Sequence, residues 1–357
     1  MKNVPPEEKK WNAVLESFPH DVYHTLQYML HSSKEQAGSE VLGLLYNDDI
    51  TKRKIFLPIL VNPLPVPLGG SASGFDISVP YGYGGPIADG KVDDETFTRF
   101  FQDLHLWAHQ RSIVSGFLRW HPLFQIPDFT DNRNVIDCGV TVAVDLELFD
   151  GDVDDASRAT HRSEIRWLIR NGYNVIWDDW SYYEKFQQLY SETMIRLESE
   201  KSYQFDSSYF DNLKKAMAQM LHLGVVLNRE GAVAAAALFT ECKGIVQYSL
   251  SASDERFRRK SPTKLLLGES RLWSRERGNK WLHLGGGLGA QKDALYKFKA
   301  GFSNCEKAFV ISKVIFDQTE YGESVKQARN LTKNFEDSQH FPEYRAIIEK
   351  YTSGDRS

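Results

Sequence analysis

The sequence predicts an α/β protein whose mixed sheets form two tandem domains built on one plan. Three observations carry that expectation. The chain has 357 residues, 41% of them hydrophobic, enough for two ordinary cores and short for three. A similar order of helix, strands, helix and strand recurs in both halves. The hexapeptide LWAHQR at Leu106–Arg111 returns as LWSRER at Leu272–Arg277, so that the pair Trp107 and Trp273 and the pair Arg111 and Arg277 are each 166 residues apart. The expected boundaries are 1–150 for the first domain, 151–335 for the second, and 336–357 for a helical tail that packs back on the first.

Taken in order, the first half opens with helical patterns at Trp11–Phe18 and Val22–Gln36, followed by strand-like runs at Glu40–Tyr46 and Lys54–Val61. The segments NPLPVPLGGSASG and VPYGYGGP interrupt regular structure with proline and glycine. A helix over Asp94–Gln110 precedes a strand at Ile113–Trp120. Between the halves, Asp152, Asp154 and Asp155 lead into a helix carrying Arg158, Arg162, Arg166 and Arg170 along one face, an order that suits the helix dipole. The second half continues with a helix near Ser208–Met220, strands at Val225–Asn228, Ala232–Thr240 and Gly244–Ser251, a helix from Ser261 to before Gly278, and a strand at Trp281–Leu284.

Composition removes several function classes. A net charge of −5 and a pI near 6.1 oppose nonspecific coating of nucleic acid, and no DNA partner is expected. The N-terminus lacks the apolar stretch of a secretory signal, and the best apolar run, Ala232–Phe239, is strand length; the expectation is a cytoplasmic protein with no integral membrane segment. Cys138, Cys242 and Cys305 are odd in number and far apart, which supports neither a disulfide framework nor a zinc site. His105 and His109 have metal-pair spacing but no zinc-protease glutamate between them and no evident third ligand, so no metal is expected. There is no Walker-type glycine loop and no G-x-S-x-G elbow.

Two motifs stand out. LHLGGGLGA satisfies a relaxed G-x-G-x-x-A dinucleotide pattern at Gly285, Gly287 and Ala290, yet it lies near the end of the chain, where a dinucleotide fold would begin its long βαβ series. Gly285, Gly286 and Gly287 suit either a tight turn or the close approach of a ligand to backbone. In RFRRKSPTKLLL, Ser261 suits an N-cap and Pro262 the first helical position, with Arg256, Arg258, Arg259, Lys260 and Lys264 concentrating charge at the same helix end. That arrangement suits phosphate.

From Tyr203 to Phe302, the ordered combination of YFDNL, GAVAAAALF, YSLSAS, SPTKLLL, LHLGGG and DALYKFKAGF resembles the GNAT-like acetyltransferase family related to the Fem (FemAB/FemX) aminoacyltransferases of peptidoglycan bridge synthesis. VPYGYGGP and FLRWHPL extend the resemblance, less strongly, into the first half. The resemblance implies two GNAT-like domains facing a common cleft. It further implies transfer of an acyl or aminoacyl group to an amine, with the donor on the second half and the acceptor on the first. The donor is acyl-CoA or aminoacyl-tRNA, used as co-substrate, with no tightly bound cofactor; tRNA is thereby a partner in one of the two versions. The acceptor is a small molecule or a cell-envelope precursor, such as a peptidoglycan peptide or an amino sugar.

The implied donor-binding residues are Arg258, Arg259, Lys260, Ser261, Lys264, Gly285, Gly286, Gly287 and Phe298. Lys299 matches the family's Phe-Lys pair, where a cation stabilises the charge that develops on the carbonyl oxygen. An attacking amine must lose a proton, for which Asp293 and His121 are the candidates, although Asp293 equally suits a helix cap and His121 stands where Fem relatives often carry an acid. Arg119, Tyr81 and Tyr248 are the expected acceptor-side residues. Two competing readings are a GNAT-fold binding protein without catalysis and a dinucleotide-dependent enzyme.

Overall fold

The structure, a computed structural model, describes residues 1–36, 38–65, 74–126, 135–148, 157–199, 203–331 and 340–352. Asp152, Asp154 and Asp155 and most of GGSASG fall outside these. Contacts divide the chain into one unit of Met1–Asp137 with Phe309–Ser357 and another of Cys138–Ala308.

The first unit begins with β1 (Lys2–Val4), α1 (Glu8–Leu15) and α2 (Leu26–Lys34). The single helix expected over Val22–Gln36 is broken at its start. The Asp21 side chain accepts from the Val22 N–H to cap one 3-10 turn, and Thr25, in extended conformation, caps α2 by accepting from the Tyr28 N–H. Two capping side chains four residues apart override the hydrophobic period. The unit continues with β2 (Glu40–Asn47), β3 (Lys54–Pro63), β4 (Phe75–Ser78), β5 (Ile87–Ala88), α3 (Asp94–His109) and β6 (Ile113–Arg119).

Strands β1 to β4 pair antiparallel in sequence order, β5 pairs with β3, and β4 then runs parallel to β6, with α3 as the crossover. Asp93 caps α3 by accepting from the Thr96 N–H, and Asp94 and Glu95 complement the dipole in its first turn. The continuous apolar run in β3 reflects cover on both faces. Ile55, Leu57 and Ile59 meet Phe97, Phe100 and Leu104 of α3, while Phe56 and Leu60 meet Trp11, Leu15, Leu26 and Met29 of α1 and α2.

The second unit starts within β7 (Val135–Asp145) and contains α4 (Ala159–Arg170), β8 (Asn174–Trp177), α5 (Tyr183–Arg196), α6 (Ser207–Met217), β9 (Leu221–Leu227), β10 (Val233–Cys242), β11 (Ile245–Ser253), α7 (Thr263–Glu276), β12 (Trp281–Gly285) and α8 (Ala294–Lys299). Strands β8 to β11 pair antiparallel, and β11 then runs parallel to β12 with α7 as the crossover. This is the plan of the first unit repeated. The alanines of β10 are buried between strands β9 and β11, with α5 and α7 both packed against β10. Each repeated hexapeptide closes its crossover helix, and in each the arginine stacks on the tryptophan four residues back, at 4.8 Å for Arg111 on Trp107 and 4.9 Å for Arg277 on Trp273.

The duplication carries an exchange that local periodicity does not reveal. Strand β7 follows β6 in sequence but pairs antiparallel with β12, and β13 (Cys305–Ile315) follows β12 but pairs antiparallel with β6. Each half lends its last strand to the other half's sheet.

After β13, α9 (Gln318–Leu331) and α10 (Glu343–Thr352) belong to the first unit, where Ala328, Tyr344, Ile347 and Ile348 form a small core with Leu64 and Val114. The buried Asp76 carboxylate accepts from the Tyr344 hydroxyl at 2.9 Å and from Arg345 Nε at 2.6 Å; Tyr344 also lies 2.9 Å from the Ser115 hydroxyl. Tyr344→Phe is expected to cost about 1–2 kcal/mol, since it leaves buried groups short of a partner. Amide exchange should rise first across Glu343–Thr352; unchanged exchange there would show that the apolar contacts alone hold α10. Among the described residues, no helix is long and apolar enough to cross a membrane.

Candidate active site

The second unit's chemistry collects where its parallel strands part. Strands β11 and β12 are in register only over Ile245–Gln247 and Trp281–His283, although β11 continues to Ser253. The register of β10 with β11 shifts at Leu238/Phe239, leaving Ser249 as an extra residue on β11. A buried polar tie marks the base of the fork: His283 Nδ1 lies 2.7 Å from Gln247 Oε1, and its Nε2 lies 2.9 Å from Thr141 Oγ1. Beyond it, the side of β11 that faced β12 no longer has that partner strand. Sequence reading had no signal for this histidine, because its partners are 36 and 142 residues away.

The glycine turn follows β12 directly. Gly285 has a φ of +74°, a conformation costly for other residues. A Cβ on Gly287 would lie 2.2 Å from both Asp293 Oδ1 and the Gln291 carbonyl oxygen, so the turn has no room for a side chain. Asp293 caps α8, accepting from the Tyr296 N–H at 2.8 Å and the Leu288 N–H at 3.0 Å, and these bonds hold its carboxyl below the ordinary range. A carboxylate so engaged is a weak proton acceptor. Lys299 is buried, and its Nζ donates to the Gly286 carbonyl at 2.7 Å. Burial lowers its ammonium pKa to about 8, with Asp293 acting in the opposite direction. The structure thus brings Gly285, Gly286, Gly287, Asp293, Phe298 and Lys299 into one turn and one helix.

The basic helix start is less open than the sequence suggests. Ser261 is left-handed, at φ +51°, and Pro262 occupies the cap position of α7 with no side-chain cap. The Lys264 and Leu265 N–H groups are satisfied by the Ser261 and Pro262 carbonyls, which removes two donors from an anion site at this end. Lys264 is buried and ion-paired with Glu164. Arg258, Arg259 and Lys260 form an exposed 3-10 turn, with the Lys260 ammonium 4.5 Å from the Trp167 ring centroid. Tyr248 is half-buried on β11, 5.5 Å from the Phe239 ring, and burial pushes its phenol up to about 12.

Helix α4 supplies residues that sequence reading passed over. Glu164 holds Lys264 of α7, and one turn earlier His161 Nε2 lies 3.0 Å from the Phe298 carbonyl of α8. The only hint was histidine and glutamate three apart inside an arginine-rich helix.

In the first unit, the remaining candidates cluster at the corresponding end of its parallel pair, after β4 and β6. The Arg119 guanidinium lies 5.7 Å from the exposed Tyr81 ring and 4.9 Å from Phe117. Gly82 is at φ +102°, and a Cβ there would strike the Tyr23 ring at 2.2 Å. His121 is buried against Phe124, its ring stacked at 4.2 Å. Its Nδ1 accepts from the Leu123 N–H at 3.3 Å, which places the proton on Nε2, donating to Asp21 Oδ2 at 2.9 Å. The imidazole lone pair is therefore directed at backbone. Two open hollows are present, one of about 450 Å³ beside Pro19, Lys91, Leu123 and the Phe124 ring that stacks on His121, the other of about 550 Å³ beside Asp178, Trp180, Lys214 and Arg277; neither is lined by the glycine turn or by Lys299. The constellation of strand fork, glycine turn and buried lysine carries the more specific chemistry.

Residues 156–298 match the family of acetyltransferase (GNAT) domains, so the second unit carries a GNAT-type acyltransferase domain. The match ends one residue short of Lys299. Over most of its length the chain has the fold of FemX, with a TM-score of 0.64 at 13% identity, covering 90% of this chain and 99% of that one. L-PGS from Bacillus licheniformis is similar at a TM-score of 0.55 and 15% identity, over 88% of this chain and 93% of that one. A conserved protein of unknown function from Bacteroides thetaiotaomicron gives 0.53 at 9% identity, over 81% and 89%. No curated protein sequence matches the chain.

Proposed function

We propose that the protein is an N-acyltransferase that moves an acyl or aminoacyl group from acyl-CoA or aminoacyl-tRNA to an amine of a cell-envelope precursor. The carrying observation is the fork between β11 and β12 with the buried Lys299 cation beside it. An extended donor arm bearing amides is suited to the side of β11 beyond Gln247 that β12 has left, by the same main-chain pairing that adds a strand to a sheet edge. The exposed Arg258, Arg259 and Lys260 suit the phosphates that either donor carries.

In the reaction, the neutral amine attacks the donor carbonyl carbon, and the C–N bond forms as the bond to the thiolate or ribose oxygen breaks. The amine proton leaves to a base, and the departing group takes up a proton. Lys299, released from the Gly286 carbonyl, offers its ammonium to the oxygen on which negative charge develops. Asp293 serves this scheme by shaping the turn. The acceptor-side reading of Arg119, Tyr81 and Tyr248 rests on the sequence resemblance. The envelope acceptor rests on the resemblance of the sequence to the Fem aminoacyltransferases of peptidoglycan bridge synthesis, with which the fold shared with FemX agrees.

The test is incubation with labelled acetyl-CoA and, separately, charged tRNAs in a cell extract, with products identified by mass spectrometry. A labelled amide product from either donor supports the reading and fixes the donor. Absence of product from both would favour a binding protein that keeps the fold.

A further inference from the structure

We propose that His161 of α4 is a positioning residue for Lys299, fixing the last turn of α8 through the Phe298 carbonyl and the gap left by Gly301. The inference rests on the reading of Lys299 as the charge-stabilising cation, and it adds a residue that touches neither donor nor acceptor.

The argument begins with the tautomer. Arg158 Nε lies 3.2 Å from His161 Nδ1, and a guanidinium can only donate, so Nδ1 is the acceptor. The ring proton is therefore on Nε2, which donates to the Phe298 carbonyl at 3.0 Å. That carbonyl belongs to the residue immediately before Lys299, near the C-terminal end of a helix only six residues long. So short a helix has little stability of its own and takes its position from tertiary contacts.

Gly301 shows that the fit is close. A Cβ there would lie 2.3 Å from His161 Nε2, so the imidazole occupies the space that any other residue would fill. The same ring sits 4.7 Å from the Phe302 ring and 5.7 Å from Phe298, and is fully buried. His161 thus grips α8 on both sides of Lys299, while Asp293 caps the other end. Around the imidazole, Lys264 and Arg158 disfavour a second proton and Glu164 favours it; burial is the largest influence, and the ring's pKa is lowered. A neutral ring keeps its acceptor nitrogen for Arg158 and its donor for Phe298.

The experiment is competitive amine labelling of the full chain across pH, with the labelling midpoint of Lys299 read by mass spectrometry, alongside kcat and KM with the donor that proves active. Variants are His161→Gln, which keeps a donor and an acceptor, His161→Leu, which keeps neither, and Gly301→Ala, which evicts the ring without altering it. His161→Leu and Gly301→Ala are expected to raise the Lys299 midpoint by about one pH unit as water reaches the ammonium. They should lower kcat about tenfold or more with KM for the donor little changed. His161→Gln should restore most of both.

An unchanged Lys299 midpoint in His161→Leu and Gly301→Ala overturns the proposal, whatever the kinetics. If His161→Leu does not fold, Gly301→Ala decides alone. A shifted midpoint together with full turnover by Lys299→Ala would leave the positioning intact and sink the catalytic reading of the lysine.

Discussion

Replacing Lys299 by alanine is expected to lower kcat about 100- to 1,000-fold, the usual consequence of removing one preorganised donor to a developing oxyanion. KM for the donor should move only a few-fold, because Lys299 forms part of neither the β11 edge nor the exposed cationic turn. The lysine also predicts a pH dependence. Its folded pKa of about 8 lies below the ordinary 10.5, so the cation is present below about 8 and is lost as pH rises through that value. The rate of the chemical step should fall over that range. Stability runs the other way: between about 8 and 10.5 the unfolded chain binds the extra proton, so this group's burial cost is full below 8 and disappears above 10.5. In Lys299→Ala, both the alkaline fall in rate and this rise in stability should be absent. Undiminished kcat in that variant would remove the lysine from the chemistry.

The largest stability effect is expected at Asp48 in the first unit. Its carboxylate is almost fully buried and accepts from Arg99 Nε at 2.8 Å, Arg99 Nη2 at 2.9 Å, the Tyr46 hydroxyl at 2.9 Å, and the Thr51 N–H and hydroxyl at 2.8 and 2.6 Å. The Arg99 hydrogen bonds are the main reason its carboxyl is held far below the ordinary 3.8. Asp48→Asn keeps the volume and leaves the half-buried Arg99 with only the more distant Glu95 carboxylate, at 3.8 Å, as a counter-charge, at an expected cost of about 3 kcal/mol. Such a depressed group stabilises the fold fully above the unfolded value and loses that contribution progressively as pH falls below about 4. Urea unfolding of parent and variant at pH 7 and pH 3 checks this. The difference between them should shrink at pH 3, and a constant difference would assign the effect to packing instead.

Chain-local chemistry made much of the protein legible without coordinates. The crossover helices α3 and α7 announce themselves by buried residues at helical spacing, and the shared tryptophan and arginine at their ends exposed the duplication. Glycines in LHLGGG and the Phe298-Lys299 pair marked the turn and helix that the structure brings together. Helix α5 went unread, its buried Tyr183, Phe186, Leu189 and Tyr190 being mixed with charged and polar neighbours. A tertiary partner changes the reading of one local residue: Lys264, expected among the phosphate-binding cations, is buried and ion-paired with Glu164, a hundred residues earlier.

What the sequence by itself determined is most of the elements, since propensity, capping and charge act over a few residues, and, through the family resemblance, the class of chemistry. Tertiary structure alone decided the exchange of β7 and β13, the point at which β11 and β12 part, and the hold of His161 on α8. Each of these depends on groups far apart in the chain meeting across a sheet or between helices. Their energy comes from buried hydrogen bonds and close packing, and no period or motif along the sequence carries a record of that.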